Sequence, residues 1–108
     1  MKKGEIRIVE LPTNDGHEQY GTRPAIILSD TDDNIAMITP FTSNTRALRY
    51  PNTLIIEPND QNGLNKESVA LIFQTRAIDQ KRIQNKIGEL KKDKIEDIDE
   101  KLRRILNL

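Results

Sequence analysis

An imidazole, a carboxylate, an amide and a guanidinium follow one another within Gly16-His17-Glu18-Gln19-Tyr20-Gly21-Thr22-Arg23-Pro24, a segment that holds two glycines and ends in a proline. A polar turn would account for these residue types, since glycine frees the backbone and the side chains between can be solvated. Their density also suits phosphate chemistry. Arg23 keeps its proton, so its natural task is to hold a phosphate and neutralise charge that develops in a transition state. His17 is the one histidine of the chain, and with an ordinary pKa of about 6.5 it can act as acid or base at neutral pH. Glu18 is a base or an arginine's partner, and the Gln19 amide and Thr22 hydroxyl are candidates for binding substrate.

A second cluster, Pro40-Phe41-Thr42-Ser43-Asn44, brings three small polar groups together; they either end a strand or donate hydrogen bonds to phosphate oxygens. The cluster lies in residues 34–56, which contain no Asp or Glu but do contain Arg46 and Arg49. A polyanion would be attracted there although the 17 basic and 17 acidic side chains of the chain cancel. Arg46, Arg49 and Tyr50 can then contact an RNA backbone or stack on a base, the alternative for Tyr50 being to lay its ring on the sheet.

These groups need a rigid frame. Alternation in residues 5–10 reads as a half-buried strand, residues 24–28 and 35–41 as two more, and residues 53–57 as a fourth. Pro40 removes a ladder donor, which predicts an edge or a bulge near the end of the third. The run Val69-Ala70-Leu71-Ile72-Phe73 reads as a central, nearly continuous apolar strand over residues 68–74, and a short strand follows around residues 86–90. The period then changes. Ile95, Ile98, Leu102, Ile105 and Leu106 recur three or four residues apart, the stripe of an amphipathic helix that Asp93 and Glu96 are placed to cap. Several short strands followed by one helix predict a mainly β, α+β fold: a small barrel-like antiparallel sheet with the C-terminal helix packed on it.

A length of 108 residues suits a single domain over 1–108 with one core, and 35% hydrophobic against 31% charged residues requires that core to be strongly patterned. The absence of cysteine excludes disulfides, thiolate metal sites and cysteine nucleophiles. Asp30, Asp32 and Asp33 carry hard oxygens, but their spacing matches no calcium loop and reads as an acidic turn. No metal and no cofactor is expected. No apolar run approaches the roughly 20 residues that span a bilayer, so a cytoplasmic protein without a membrane partner is the default.

The sequence resembles the MazF/PemK family of toxin endoribonucleases from type II toxin-antitoxin systems. Lys3-Gly4-Glu5-Ile6 resembles the family's opening strand, residues 16–24 its signature loop, Ile38-Thr39-Pro40-Phe41-Thr42-Ser43 its second motif, and Ser68 to Gln74 with Arg76-Ala77-Ile78-Asp79 its later strand and following turn. The resemblance implies an SH3-like barrel, a homodimer, sequence-selective cleavage of single-stranded RNA without a metal, and a cognate antitoxin that covers the site. It maps Arg23 and Thr42 onto a catalytic pair, with Arg23 stabilising the phosphate and Thr42 hydrogen-bonded to it. Some relatives carry a catalytic Arg and Asp where this chain has Leu71 and Phe73, which leaves proton transfer to His17 or Glu18. Ser43, Asn44, Arg46, Arg49 and Tyr50, with Gln19 and Thr22, would bind substrate. Two rival readings are a CcdB-like toxin that binds gyrase, though nothing distinctive marks residues 103–108, and a non-catalytic barrel that binds RNA or protein.

Overall fold

In the segment Glu5–Leu11, β1, Ile6 turns to one core and Val9 and Leu11 to another, and the strand has a neighbour on each side in the sheet. The computed structural model describes residues 1–12, 16, 18–30 and 33–108, and of Asp30 the main chain only. β2 (Gly21–Asp30), β3 (Ile35–Thr42), β4 (Thr53–Ile56), β5 (Ser68–Leu71), β6 (Arg76–Asp79) and β7 (Ile83–Glu89) join β1 in a seven-stranded antiparallel sheet ordered β4-β5-β3-β2-β1-β7, with β6 paired to β3. The path does not close on itself. It is a barrel-like sheet ending in β4 and β7, carrying one C-terminal helix, α1 (Lys92–Leu106).

Both faces of the central strands are buried, which explains the unbroken apolar run in β2. Ile26 joins Ile6, Phe41, Ile72, Leu90 and Ile98 in the larger core, while Ala25 and Ile27 turn to the opposite face with Val9, Leu11, Ile38 and Ile78. Alternation along one strand thus feeds two cores.

β3 changes partner along its length. Residues 35–38 pair with β6, and Phe41 and Thr42 pair with Ala70 and Val69 of β5. Pro40 stands in the gap between those two partners, where a missing main-chain donor costs least. The gap is bridged instead by side chains: the Thr39 and Thr75 hydroxyls lie 2.7 Å apart. The irregularity expected near Pro40 is therefore a change of neighbour, and the bulge in the β2–β3 pairing falls between Ile27 and Ser29.

Three expectations are corrected. The apolar strand at residues 68–74 ends at Leu71, whose φ of −94° and ψ of 76° leave the extended region, and Ile72–Gln74 forms a 3-10 turn. β5 is also not central, having only β4 beyond it. Capping of α1 by Asp93 is not formed: Lys91 is the cap residue, without a side-chain bond, and Asp93 lies in the first turn, where its charge suits the helix dipole. The helix starts early because the Leu90 amide is already fixed to the Gly4 carbonyl at 2.8 Å. Ile95, Ile98 and Leu102 pack on the larger core, but the stripe outruns the sheet, and Ile105 and Leu106 are exposed. Among the described residues no helix is long and apolar enough to cross a membrane.

One buried charge ties β1 to its surroundings. Burial alone would raise the pKa of Glu5, yet hydrogen bonds from Arg7 and the Lys2 main chain, with the positive fields of Arg7 and Lys86, leave it below the ordinary 4.5. A depressed folded-state pKa contributes stability that is present above the unfolded value and lost as pH falls through the folded one. Glu5→Gln should therefore be less stable at neutral pH and lose less on acidification. Thermal melts of both proteins from about pH 7 to about pH 3 check this, and parallel curves would contradict it.

Candidate active site

Arg23 sits in β2 opposite Val9 of β1, half-buried, with its guanidinium turned toward the end of β3. Its Nε donates to the Tyr20 carbonyl at 2.9 Å and its Nη1 to the Phe41 carbonyl at 3.2 Å. Two anchors on different elements fix the plane of the group, and among the described residues Nη2 has no hydrogen-bond partner. Burial lowers its pKa from the usual value and Tyr20 acts in the opposite sense, but a guanidinium so placed stays charged at any working pH.

Thr42, the last residue of β3, lies one residue beyond the Phe41 carbonyl. Its Oγ1 accepts the Asn44 main-chain N–H at 3.2 Å. A hydroxyl has one proton to give, and a bond accepted on one side leaves that proton free to be donated on the other. The two halves of the sequence expectation are therefore brought together: Arg23 and Thr42 line one recess of about 420 Å³, with Thr22 and Ser43 at its edge. Asn65 and Lys66 line it as well. Nothing in the local sequence around Lys66 marks it, because it comes from a loop between β4 and β5.

Thr42 also lines a second recess, of about 280 Å³, with Gln19, Asn44, Arg46, Arg49 and Tyr50. It is thus a ridge between two hollows. The second hollow is built by local turn chemistry: the Asn44 carboxamide oxygen accepts the Arg46 amide at 3.1 Å and caps the 3-10 turn Thr45–Arg49. Phe73 and Gln74 complete it. Among the described residues no carboxylate lines either recess, which agrees with attraction of a polyanion.

The signature loop is held down by residues that sequence reasoning passed over. The Gln19 main-chain N–H donates to the Gln74 Oε1 at 2.7 Å, and the Arg76 Nη2 donates to the Gln19 carbonyl at 2.8 Å. Gln19 also donates through Nε2 to the Phe41 carbonyl at 3.3 Å, so it both lines the second recess and anchors the loop. The polar triplet Gln74-Thr75-Arg76 after an apolar run was the available signal. Glu18 is exposed and lines neither recess; its charge acts on Arg76, raising a pKa that burial lowers. His17 lies outside the described residues. Among the described residues no three His, Cys, Asp or Glu side chains come together as a metal site.

The family model for the PemK-like, MazF-like toxin of type II toxin-antitoxin system matches residues 2–106. The structure is similar to MazF (Form-I) from Deinococcus radiodurans, with a TM-score of 0.83 and 25% identity, covering 100% of this chain and 97% of that one. It is also similar to MazE-MazF (Form-II) from Deinococcus radiodurans, with a TM-score of 0.75 and 24% identity over 100% and 96% of the two chains. An endoribonuclease in complex with its cognate antitoxin from Mycobacterial species shares the fold at 15% identity, with a TM-score of 0.69 and coverage of 98% and 92%.

Proposed function

The chain belongs to the PemK-like, MazF-like family of toxins of type II toxin-antitoxin systems, and from that premise we propose that it is a sequence-selective, metal-independent endoribonuclease acting on single-stranded RNA and neutralised by a cognate antitoxin. The observation that carries the reading is the placing of a doubly anchored guanidinium and a hydroxyl that accepts a main-chain N–H in one recess, which no carboxylate lines among the described residues.

In this proposal the 2′-hydroxyl of a ribose attacks the neighbouring phosphorus. The P–O bond to the 5′-oxygen of the next nucleotide breaks, and the products are a 2′,3′-cyclic phosphate and a free 5′-hydroxyl. Arg23 neutralises the crowded, extra-charged phosphorane, and Thr42 donates to one of its oxygens. The proton removed from the 2′-hydroxyl and the one given to the 5′-oxygen pass through a general base and a general acid. His17 is our choice for one of these, since an imidazole suits both duties at neutral pH; the Glu18 carboxylate, next in sequence and set against Arg76, serves the loop in the first place. The homodimer and the cytoplasmic location implied by the resemblance belong to the same proposal. A gyrase-binding toxin would have no use for this recess.

The test is incubation of the purified protein with a long, mixed-sequence single-stranded RNA in EDTA, followed by mapping of the ends. Cleavage leaving cyclic phosphates is expected. Thr42→Ala removes one hydrogen bond to a charged group, about 1.5–3 kcal/mol, so the rate should fall roughly 10- to 100-fold. Thr42→Ser should recover most of it. An uncut RNA, or a Thr42→Ala variant as fast as wild type, would sink the mechanism.

A further inference from the structure

The chain has four aromatic residues, two Tyr and two Phe, and only Phe41 is in the core. Tyr20, Tyr50 and Phe73 are 57%, 45% and 41% exposed. The core is otherwise built from aliphatic side chains, so packing does not require the rings, and a phenylalanine has no polar atom to gain from water. Exposure of Phe73 is explicable if its face is meant to be covered by something else.

Two of the three rings meet. Tyr50 arrives from the end of the turn Thr45–Arg49 and Phe73 from the turn Ile72–Gln74, separate elements whose rings converge at 5.7 Å between centroids with an interplanar angle of 49°. Arg49 braces the pair, its guanidinium carbon 4.9 Å from the Tyr50 centroid and its Nη2 donating to the Tyr50 hydroxyl at 2.9 Å. Both rings line the second recess, whose other wall is Thr42. We propose that Tyr50 and Phe73 form a stacking platform for one unpaired base of single-stranded RNA, directly beside the phosphate held by Arg23 and Thr42.

The inference rests on the ribonuclease reading above and adds to it a subsite and a residue, Phe73. A base suits the platform better than a protein side chain does because the surroundings are cationic and amide-rich. Arg46 and Arg49 flank it, as a phosphate backbone requires. The amides of Asn44, Gln19 and Gln74 surround it with one end each committed inside the protein: Asn44 Oδ1 to Arg46, Gln19 Nε2 to Phe41 and Gln74 Oε1 to Gln19. Their other ends offer two donors and one acceptor to a base edge, while the rings take its face. Stacking supplies affinity at that position and the amides supply preference.

The experiment uses the intact protein and an RNA oligomer centred on a mapped cleavage site, with a 2′-deoxy nucleotide at the attacking position so that it binds without being cut. Phe73→Ala should raise Kd about 5- to 100-fold, the range for losing one stacked base. Phe73→Tyr should bind as wild type does. The slope of log Kd against log salt should not change, because no phosphate contact is lost. Abasic nucleotides placed along the oligomer should weaken wild type at one position, and at that position Phe73→Ala should cause no further loss. Tyr50→Ala is the second variant, and thermal melts check that both variants fold. Equal affinity of wild type and folded Phe73→Ala for the oligomer overturns the platform, and if antitoxin binding falls instead, the rings serve a protein partner. Should no RNA be cut, an unmodified oligomer of mixed sequence replaces the mapped one. Binding without cutting then sinks the ribonuclease reading while Phe73→Ala still tests the platform; neither binding nor cutting sinks both.

Discussion

Replacing Arg23 by alanine is expected to lower kcat/KM on single-stranded RNA by about 10²- to 10³-fold or more, the cost of removing one donor aimed at developing negative charge. The fold should survive. The strand bearing Arg23 is held by pairing with β1 and β3 on both sides; of the two carbonyls that lose the guanidinium, that of Tyr20 belongs to an exposed residue and that of Phe41 keeps the Gln19 Nε2 donor. Arg23→Lys should recover little, because a single ammonium cannot hold two carbonyls on different elements and still present a flat, fixed edge to a phosphate. Single-turnover rates with a labelled oligomer, beside circular dichroism melts, read both quantities. A loss of less than about tenfold in a folded Arg23→Ala protein would remove Arg23 from the transition state. Since the guanidinium remains charged, any pH dependence of the wild-type rate belongs to other groups, and comparing the profile with that of His17→Ala would identify one of them.

The second large effect is on stability. Gly88→Ala should destabilise the protein by about 1–3 kcal/mol, as overpacking does, although a Gly→Ala change at a compatible position would instead stabilise by roughly 0.4–1 kcal/mol through the unfolded chain. The difference is steric. A Cβ on Gly88 would overlap main-chain atoms of Gln61 and Asn62, and these have no rotamer to escape into. The turn they belong to is held by its own bonds: the Asn62 carboxamide accepts the Asn59 and Leu64 amides and donates to the Glu57 carbonyl, and the Gln61 carbonyl takes the Glu89 amide at 2.9 Å. Urea titrations decide the sign, and unchanged or higher stability would show that the turn yields. Activity should fall as well, because Gly63, Leu64 and Lys66 in the same segment line the recess with Arg23.

Much of this was legible along the chain, and what was not has a common cause. Arg23 and Thr42 stand out singly by residue type, and the acid-free stretch points to their surroundings. That Arg23 reaches the Phe41 carbonyl, one residue before Thr42, depends on a pairing between β2 and β3 that no local pattern encodes. Phe73 illustrates the limit more sharply. Five apolar residues in a row read as strand whichever way each side chain faces, so the break at Leu71, and the outward turn of one ring, are decided by tertiary contacts. Asp93 shows the same for a helix. Its type and its spacing to Glu96 suit a cap, but a bond between Leu90 and Gly4 sets where the helix begins. Lys66 carried no signal at all, being a lysine in a loop whose relevance comes only from the recess it lines.

The neighbours of β1 bear on when the protein becomes itself during synthesis. β1 is made first, and its pairing with β2 can form as soon as both have left the ribosome, but its other edge is covered by β7, from Val9 opposite Ile83 to Glu5 opposite Glu89. Lys3 then waits for Asp99 of the terminal helix, an ion pair of 2.7 Å. A nascent chain holding every residue of the Arg23–Thr42 pair therefore still lacks the edge strand and the helix that close its larger core. Contacts between segments so far apart along the chain must pay their loop-closure entropy before packing rewards it, so the frame that holds the Arg23–Thr42 pair is complete only once β7 and α1 are available to close it.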